Sequence, residues 1–151
     1  MKVYVESVLD CSASRAWSEV RTSRLLLEVM RPLLRFEPPR GTSFPLEWEQ
    51  GTTIRGKSYL FGLIPLGLRT IRFERIDPQR REIQTRETDR LINRWDHLIS
   101  IREISAGSTL YSDEIEIEAG ICTWIVSLFA QCFYRHRQRR WKRVARRLSA
   151  A

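Results

Sequence analysis

Arg94-Trp-Asp-His-Leu-Ile-Ser-Ile-Arg-Glu-Ile-Ser-Ala-Gly-Ser-Thr-Leu-Tyr-Ser-Asp-Glu-Ile-Glu-Ile-Glu118 is the stretch on which the fold turns. Trp95, His97, Ile99 and Ile101 recur every second residue and share one face of an extended chain, while Asp96, Ser100 and Arg102 take the other. Beyond Ala106-Gly107 the same period returns, with Tyr111, Asp113, Ile115 and Ile117 on one face. Two strands joined by so short a link must run antiparallel. Each has an apolar face to bury, and each carries polar groups on that same face.

The pattern repeats upstream. Leu46–Trp48 reads as a short strand and Thr52–Phe61 as a long one, with Gly56 as a bulge or kink. Leu68–Ile76 and Glu82–Arg90 follow, separated by an Asp77-Pro-Gln-Arg80 turn. The apolar tip Phe61-Gly-Leu-Ile-Pro-Leu66 would act as a lid or membrane-touching edge, or pack on the second helix. Before these strands, Lys2–Leu9 alternates as a strand, and Ser12 caps a short helix through Trp17. A second helix is expected over Ser23–Leu34, capped by Ser23, and Phe36–Pro45 reads as a loop. Gly120 precedes a long helix, Ile121 to about Leu148. The order is strand, two helices, five or six strands, one helix. A chain of 151 residues supports one such domain, spanning 1–151. The expected class is α+β: a curved antiparallel sheet of six or seven strands closed around the terminal helix, with an apolar cavity between them.

The net charge of +8 is concentrated in that last helix. No acidic residue follows Glu118, whereas eight basic ones do: Arg135, Arg137, Arg139, Arg140, Lys142, Arg143, Arg146 and Arg147. Such a run is either a solvated helix end or a site for an anionic surface. Two apolar stripes lie on this helix. Ile121, Trp124, Ile125, Leu128, Phe129 and Cys132 form one, expected to cover the cavity, and Trp141, Val144 and Leu148 form another nearly opposite. The part from about 134 onward is therefore read as a basic helical extension. Cys11, Cys122 and Cys132 make an odd count with no metal-type spacing, so no disulfide framework, metal or cofactor is expected, and a reduced cytoplasmic setting is.

Three polar groups on the inward faces are candidates for chemistry. His97 titrates near neutral pH, and Tyr111 and Asp113 on the next strand would lie near it or near Trp95. Such a cluster either orients a ligand carbonyl or satisfies buried polar groups internally. Thr85, Glu87 and Asp89 add polar positions in phase with Ile83. Glu47 and Glu49 flank Trp48 and face outward together, a poor geometry for acid–base work. No nucleophile elbow, phosphate loop or metal-ligand spacing occurs.

Four segments carry a resemblance: Val3-Tyr-Val-Glu-Ser-Val8 with Ser14-Arg-Ala-Trp17, Arg94-Trp-Asp-His-Leu-Ile99, Thr109-Leu-Tyr-Ser-Asp-Glu114 and Phe133-Tyr-Arg-His-Arg-Gln-Arg-Arg-Trp141. In this order they resemble the helix-grip superfamily of START, Bet v 1-like and polyketide cyclase/dehydrase-like proteins (SRPBCC), and specifically its stand-alone bacterial members. The resemblance implies a cavity for apolar or aromatic ligands but no single chemistry. It places Trp17 inward. The ligand-facing set is then Trp17, Trp95, His97, Ile99, Tyr111, Trp124, Leu128 and Phe129. The leading expectation is non-catalytic binding or carriage of a small apolar or lipid-like ligand. A cyclase/dehydrase-type enzyme using His97, with Tyr111 or Asp113 orienting substrate, is the alternative. A second alternative is contact with an anionic membrane through Arg135, Arg139, Arg140, Lys142 and Arg143. Nucleic acid is disfavoured because no face interleaves aromatic and basic residues. A homodimer through the Trp141 stripe stays open.

Overall fold

A computed structural model describes residues 1–150. Seven strands form one antiparallel sheet: β1 (Lys2–Leu9), β2 (Leu34–Glu37), β3 (Thr53–Leu60), β4 (Ile64–Asp77), β5 (Glu82–Thr88), β6 (Arg94–Ser105) and β7 (Ser108–Glu118). Their order across the sheet is β1-β7-β6-β5-β4-β3-β2. The meander runs unbroken from β2 to β7, and β1 closes on β7 from the far end of the chain. Register shifts at Ser58/Tyr59, Phe73/Arg75 and Glu103/Ser105 interrupt three of the ladders. Such irregularities increase twist and help a large sheet curl into the open half-barrel seen here. Helices α1 (Ala13–Val20) and α2 (Ser23–Met30) bridge β1 and β2, and α3 (Thr123–Ala150) lies in the grip of the sheet. This is the helix-grip fold that the sequence pattern implies.

Local chemistry accounts for the element ends. The Ser12 hydroxyl accepts the Arg15 N–H at 3.3 Å and opens α1. Asp77 Oδ1 accepts from the Gln79 and Arg80 N–H groups, both at 3.0 Å, and holds the β4–β5 turn. Gly120 takes φ +55°, which a residue with a Cβ adopts at a cost, and a 3-10 turn leads into α3.

Several expected boundaries move. The cap of α2 is Thr22, whose hydroxyl accepts the Leu25 N–H at 3.2 Å, not Ser23. This helix stops at Met30 rather than Leu34, because Arg31 precedes a proline and is extended at ψ 150°. Leu34 and Phe36 therefore belong to β2 instead of a helix and a loop. Leu46–Trp48 forms only an isolated bridge, Glu47 to Thr22. Gly56 is not the bulge: a Cβ there would lie 2.5 Å from the Phe36 ring and 2.7 Å from the Glu37 carbonyl oxygen. It is glycine because a neighbouring strand's aromatic ring occupies its side-chain space.

The largest correction concerns α3. Its buried face is Ala130, Phe133, Tyr134, Arg137, Gln138, Trp141, Val144 and Ala145, with Leu148 partly covered. The Trp141 stripe is thus core, not an extension, and the distal helix is part of the domain body. Most of the Ile121–Cys132 stripe faces outward, with Ile121 95% exposed and Trp124 and Leu128 each 62% exposed, while Ile125 and Phe129 border the space between helix and sheet. The two stripes are opposite, as the helical period requires, but the Trp141 stripe is the one seated in the sheet, and only Ile125 and Phe129 of the first stripe reach the interior space. Trp141→Ala should cost about 3–5 kcal/mol, as for a fully buried tryptophan. Leu128→Ser should stay within about 0.5 kcal/mol. Urea unfolding midpoints of the two variants test the assignment; equal losses would contradict it.

Candidate functional site

The half-barrel is not filled. A cavity of about 340 Å³ opens between α2, the first half of α3 and strands β2 to β6. Its wall is chiefly apolar, with Leu26, Met30, Phe36, Leu60, Ile71, Trp95 and Phe133 among the lining residues. Volume and lining match those of small-molecule sites. A smaller chamber of about 30 Å³ lies beside it, and the two share Leu26, Ile71, Glu87 and Arg137. Large apolar side chains stand exposed around the mouth: Leu66 at 42%, Leu91 at 75% and Ile125 at 52%. Leu60 and Leu66 on either side of the β3–β4 tip line the cavity, and Leu63 at the tip is 83% exposed.

One wall of the cavity is charged. Arg69 on β4 donates to Glu87 Oε2 at 2.8 Å and to Asp89 Oδ2 at 3.3 Å, and its guanidinium lies 4.6 Å from the Trp95 ring centroid. The Thr85 hydroxyl donates to Glu87 Oε1 at 3.3 Å. Tyr134 on α3 accepts the Trp95 indole N–H at 3.2 Å. Arg137, one helical turn further along, reaches both cavity and chamber.

Behind this wall lies a second network. His97 Nε2 meets Asp113 Oδ1 at 2.7 Å, the Tyr111 hydroxyl donates to the same oxygen at 3.0 Å, and Gln138 Nε2 donates to Oδ2 at 2.8 Å. Both oxygens of a carboxylate with 0% exposure are therefore engaged. The three candidates for chemistry do come together, but Tyr111 and Asp113 line neither space and His97 borders only the chamber. His97 Nδ1 faces Glu87 Oε1 at 3.8 Å, so the ring sits between two carboxylates.

The expected ligand-facing residues divide accordingly. Trp95 and Phe129 line the cavity, whereas His97 and Ile99 line the chamber. Trp17 and Tyr111 are buried in the core away from both. Trp124 and Leu128 do not line the cavity and point outward, because the opposite face of α3 is seated in the sheet. Sequence reasoning missed Arg69, Tyr134, Arg137 and Gln138. Arg137 was hidden in the basic run; the available signal was its helical phase, which it shares with Phe133, Trp141 and Val144. Glu47 and Glu49 are exposed around a buried Trp48, as their spacing predicts.

Burial and charge pull these groups in opposite directions. Burial raises the Glu87 carboxyl, but Arg69 and His97 outweigh it and bring it down to about 2. Asp113 is likewise lowered, its burial overcome by His97, Arg137 and Gln138. Burial opposes the charged His97 ring, yet Asp113 and Glu87 hold it above its ordinary value. Burial also drives the Tyr111 hydroxyl well upward, so it stays a neutral donor. With Nε2 on Asp113 and Nδ1 facing Glu87, the His97 ring is placed to satisfy buried carboxylates.

The family model described as a domain of unknown function, DUF8410, matches residues 7–145. No curated protein matches the sequence. Among solved structures, a START superfamily protein from Mycobacterium smegmatis superposes with a TM-score of 0.71 at 15% identity, covering 97% of this chain and 98% of that one. Protein CV1439 from Chromobacterium violaceum gives 0.70 at 13%, covering 95% and 96%. The di-domain ARO/CYC BexL from the BE-7585A biosynthetic pathway gives 0.64 at 15%, covering 91% of this chain and 44% of that one. At these identities the likeness is one of fold.

The charged wall makes stability pH-dependent on both sides. Glu87, lowered when folded, stabilises fully above the unfolded value near 4.3 and loses that contribution as pH falls toward about 2. His97, raised when folded, stabilises fully below about 6.5 and loses its contribution as pH rises through its folded value. Glu87→Gln should flatten the acid arm and cost about 3–5 kcal/mol at neutral pH by leaving Arg69 short of a buried partner. His97→Gln should flatten the alkaline arm. Unfolding free energies measured across pH would contradict this if the variants kept wild-type slopes.

Proposed function

We propose that this protein binds a small molecule with a large apolar surface in the cavity between α3 and the sheet, without transforming it. The chain belongs to the DUF8410 family, whose description names no activity, so the reading rests on the site itself. The observation that carries it is the open, mainly apolar space of about 340 Å³ inside a domain otherwise well packed. Apolar walls favour ligand transfer from water at roughly 25 cal/mol per Å² covered. The START superfamily and cyclase-like fold supports ligand binding in general. A cyclase-type reaction would need a proton-transfer group facing substrate, and His97 borders only the small chamber with its Nε2 already on Asp113.

The test is mass spectrometry of small molecules extracted from purified protein, together with titration of the delipidated protein by the neutral dye Nile red. Saturable dye binding is expected. Val126→Trp, which places an indole at the half-buried cavity wall, should weaken it by about ten-fold, the equivalent of roughly 1.4 kcal/mol. Absence of any extracted molecule and of saturable dye binding would remove the reading.

A second reading concerns the rim. The outward stripe of α3 changes character along its length: Trp124, Ile125 and Leu128 lie beside the mouth, and Arg135, Arg139, Lys142 and Arg143 continue the same line away from it. Among the described residues none of these four cations has a carboxylate within 4.0 Å. Arg140 leaves the set, since it donates to the Glu28 carbonyl at 3.1 Å, and Arg146 and Arg147 pair with Asp10 and Glu28. Exposed apolar groups followed by unpaired cations suit an anionic bilayer approached mouth-first. Sedimentation with phosphatidylglycerol-containing vesicles should exceed that with phosphatidylcholine alone, and Trp124→Ser/Leu128→Ser should abolish the difference. Equal sedimentation with both lipids would rule this reading out.

A further inference from the structure

Arg137 is a buried cation with no hydrogen-bonded partner among the described residues. The residue is 7% exposed and lines both the cavity and the chamber beside it. Among the described residues it donates no hydrogen bond and has no carboxylate oxygen within 4.0 Å. The Tyr134 ring centroid lies 5.5 Å from the guanidinium carbon, and Asp113 and Glu87 act on the cation only at longer range, without a hydrogen bond. The carboxylates of this wall are engaged elsewhere. Glu87 serves Arg69 and Thr85. Asp89 serves Arg69 and the N–H groups of Leu91 and Ile92. Asp113 serves His97, Tyr111 and Gln138.

A guanidinium offers five donors in a planar fork, and leaving them unserved in an apolar interior is costly. In the free protein the open cavity admits water to solvate them. A ligand that fills the cavity displaces that water and must return its acceptors, which a hydrocarbon cannot do. A carboxylate returns two, in the geometry the fork matches. A dianion is disfavoured, because Glu87 and Asp89 lie on the same wall. Resting on the ligand-binding reading above, we infer that the ligand is an amphiphilic monocarboxylate. Its head sits on Arg137, and its apolar body runs outward between Leu26, Met30 and Phe129 toward Leu66 and Leu91 at the mouth.

Displacement of Nile red by dodecanoic acid, methyl dodecanoate and dodecanol tests this on the full chain. The wild type should bind the acid at least about ten-fold more tightly than the ester or the alcohol, as expected for a charge-assisted bidentate contact. Arg137→Gln should collapse that preference to near unity while retaining the ester, and Arg137→Lys should restore part of it. Equal binding of acid and ester by the wild type would overturn the assignment while leaving the cavity reading intact, and this comparison needs no variant to fold. An acid preference undiminished in Arg137→Gln would move the head to Arg69 and also overturn it. Binding of none of the three, with no uptake of Nile red, would remove the cavity reading and this inference together.

Discussion

Gln138 is the pin that sets the phase of the terminal helix. Its side-chain amide donates to the Val5 carbonyl and to Asp113 Oδ2, both at 2.8 Å, and so ties α3 to β1 and β7 at once. Asp113 is in turn held by His97 and Tyr111. A fully buried carboxylate is tolerated only when such donors surround it, and a helix rotated by one residue would take the Gln138 donor from Oδ2. With Gln138 inward, Phe133, Tyr134, Arg137, Trp141 and Val144 are carried inward too, and Trp124 and Leu128 are carried out. The apolar rim and the buried arginine are therefore two consequences of one seating.

That seating also explains why the interior is divided. Toward the C-terminal end of α3 the large rings of Trp141 and Tyr111 pack edge-on at 6.2 Å and close the core. Toward its beginning Ile125, Val126 and Phe129 border the space between helix and sheet without filling it, and the cavity remains there. Gly56 lets Phe36 lie against β3, and the Phe36 ring stacks on Phe44 at 4.9 Å, which stiffens the cavity's outer wall. Polar groups concentrate where packed core gives way to open space. There Arg69, Glu87 and His97 answer one another, and Arg137 is left over.

Much of this was legible along the chain. The two-residue alternation of Trp95 to Ile101 and of Tyr111 to Ile117 arises because these strands have one face in the interior and the other toward solvent, where Arg86 and Arg94 cover Asp96 at 2.8 and 2.7 Å. The meander, the first helix cap and the meeting of His97, Tyr111 and Asp113 follow from that period and from short turns. Boundaries near Pro32 and Phe36 were harder, since a four-residue edge strand carries too little periodicity to separate it from a loop.

What the sequence alone determined is the long elements, their antiparallel order and the two opposed faces of the last helix, because these depend on local period and turn chemistry. Which of those faces turns inward was decided only in three dimensions. Apolar density favours Ile121–Phe129, yet the sheet seats the face with Arg137 and Gln138, because the Val5 carbonyl and Asp113 accept from the Gln138 amide there. Burial of a polar side chain depends on partners far away in sequence, 133 residues for Gln138 and Val5, and no local pattern carries that information.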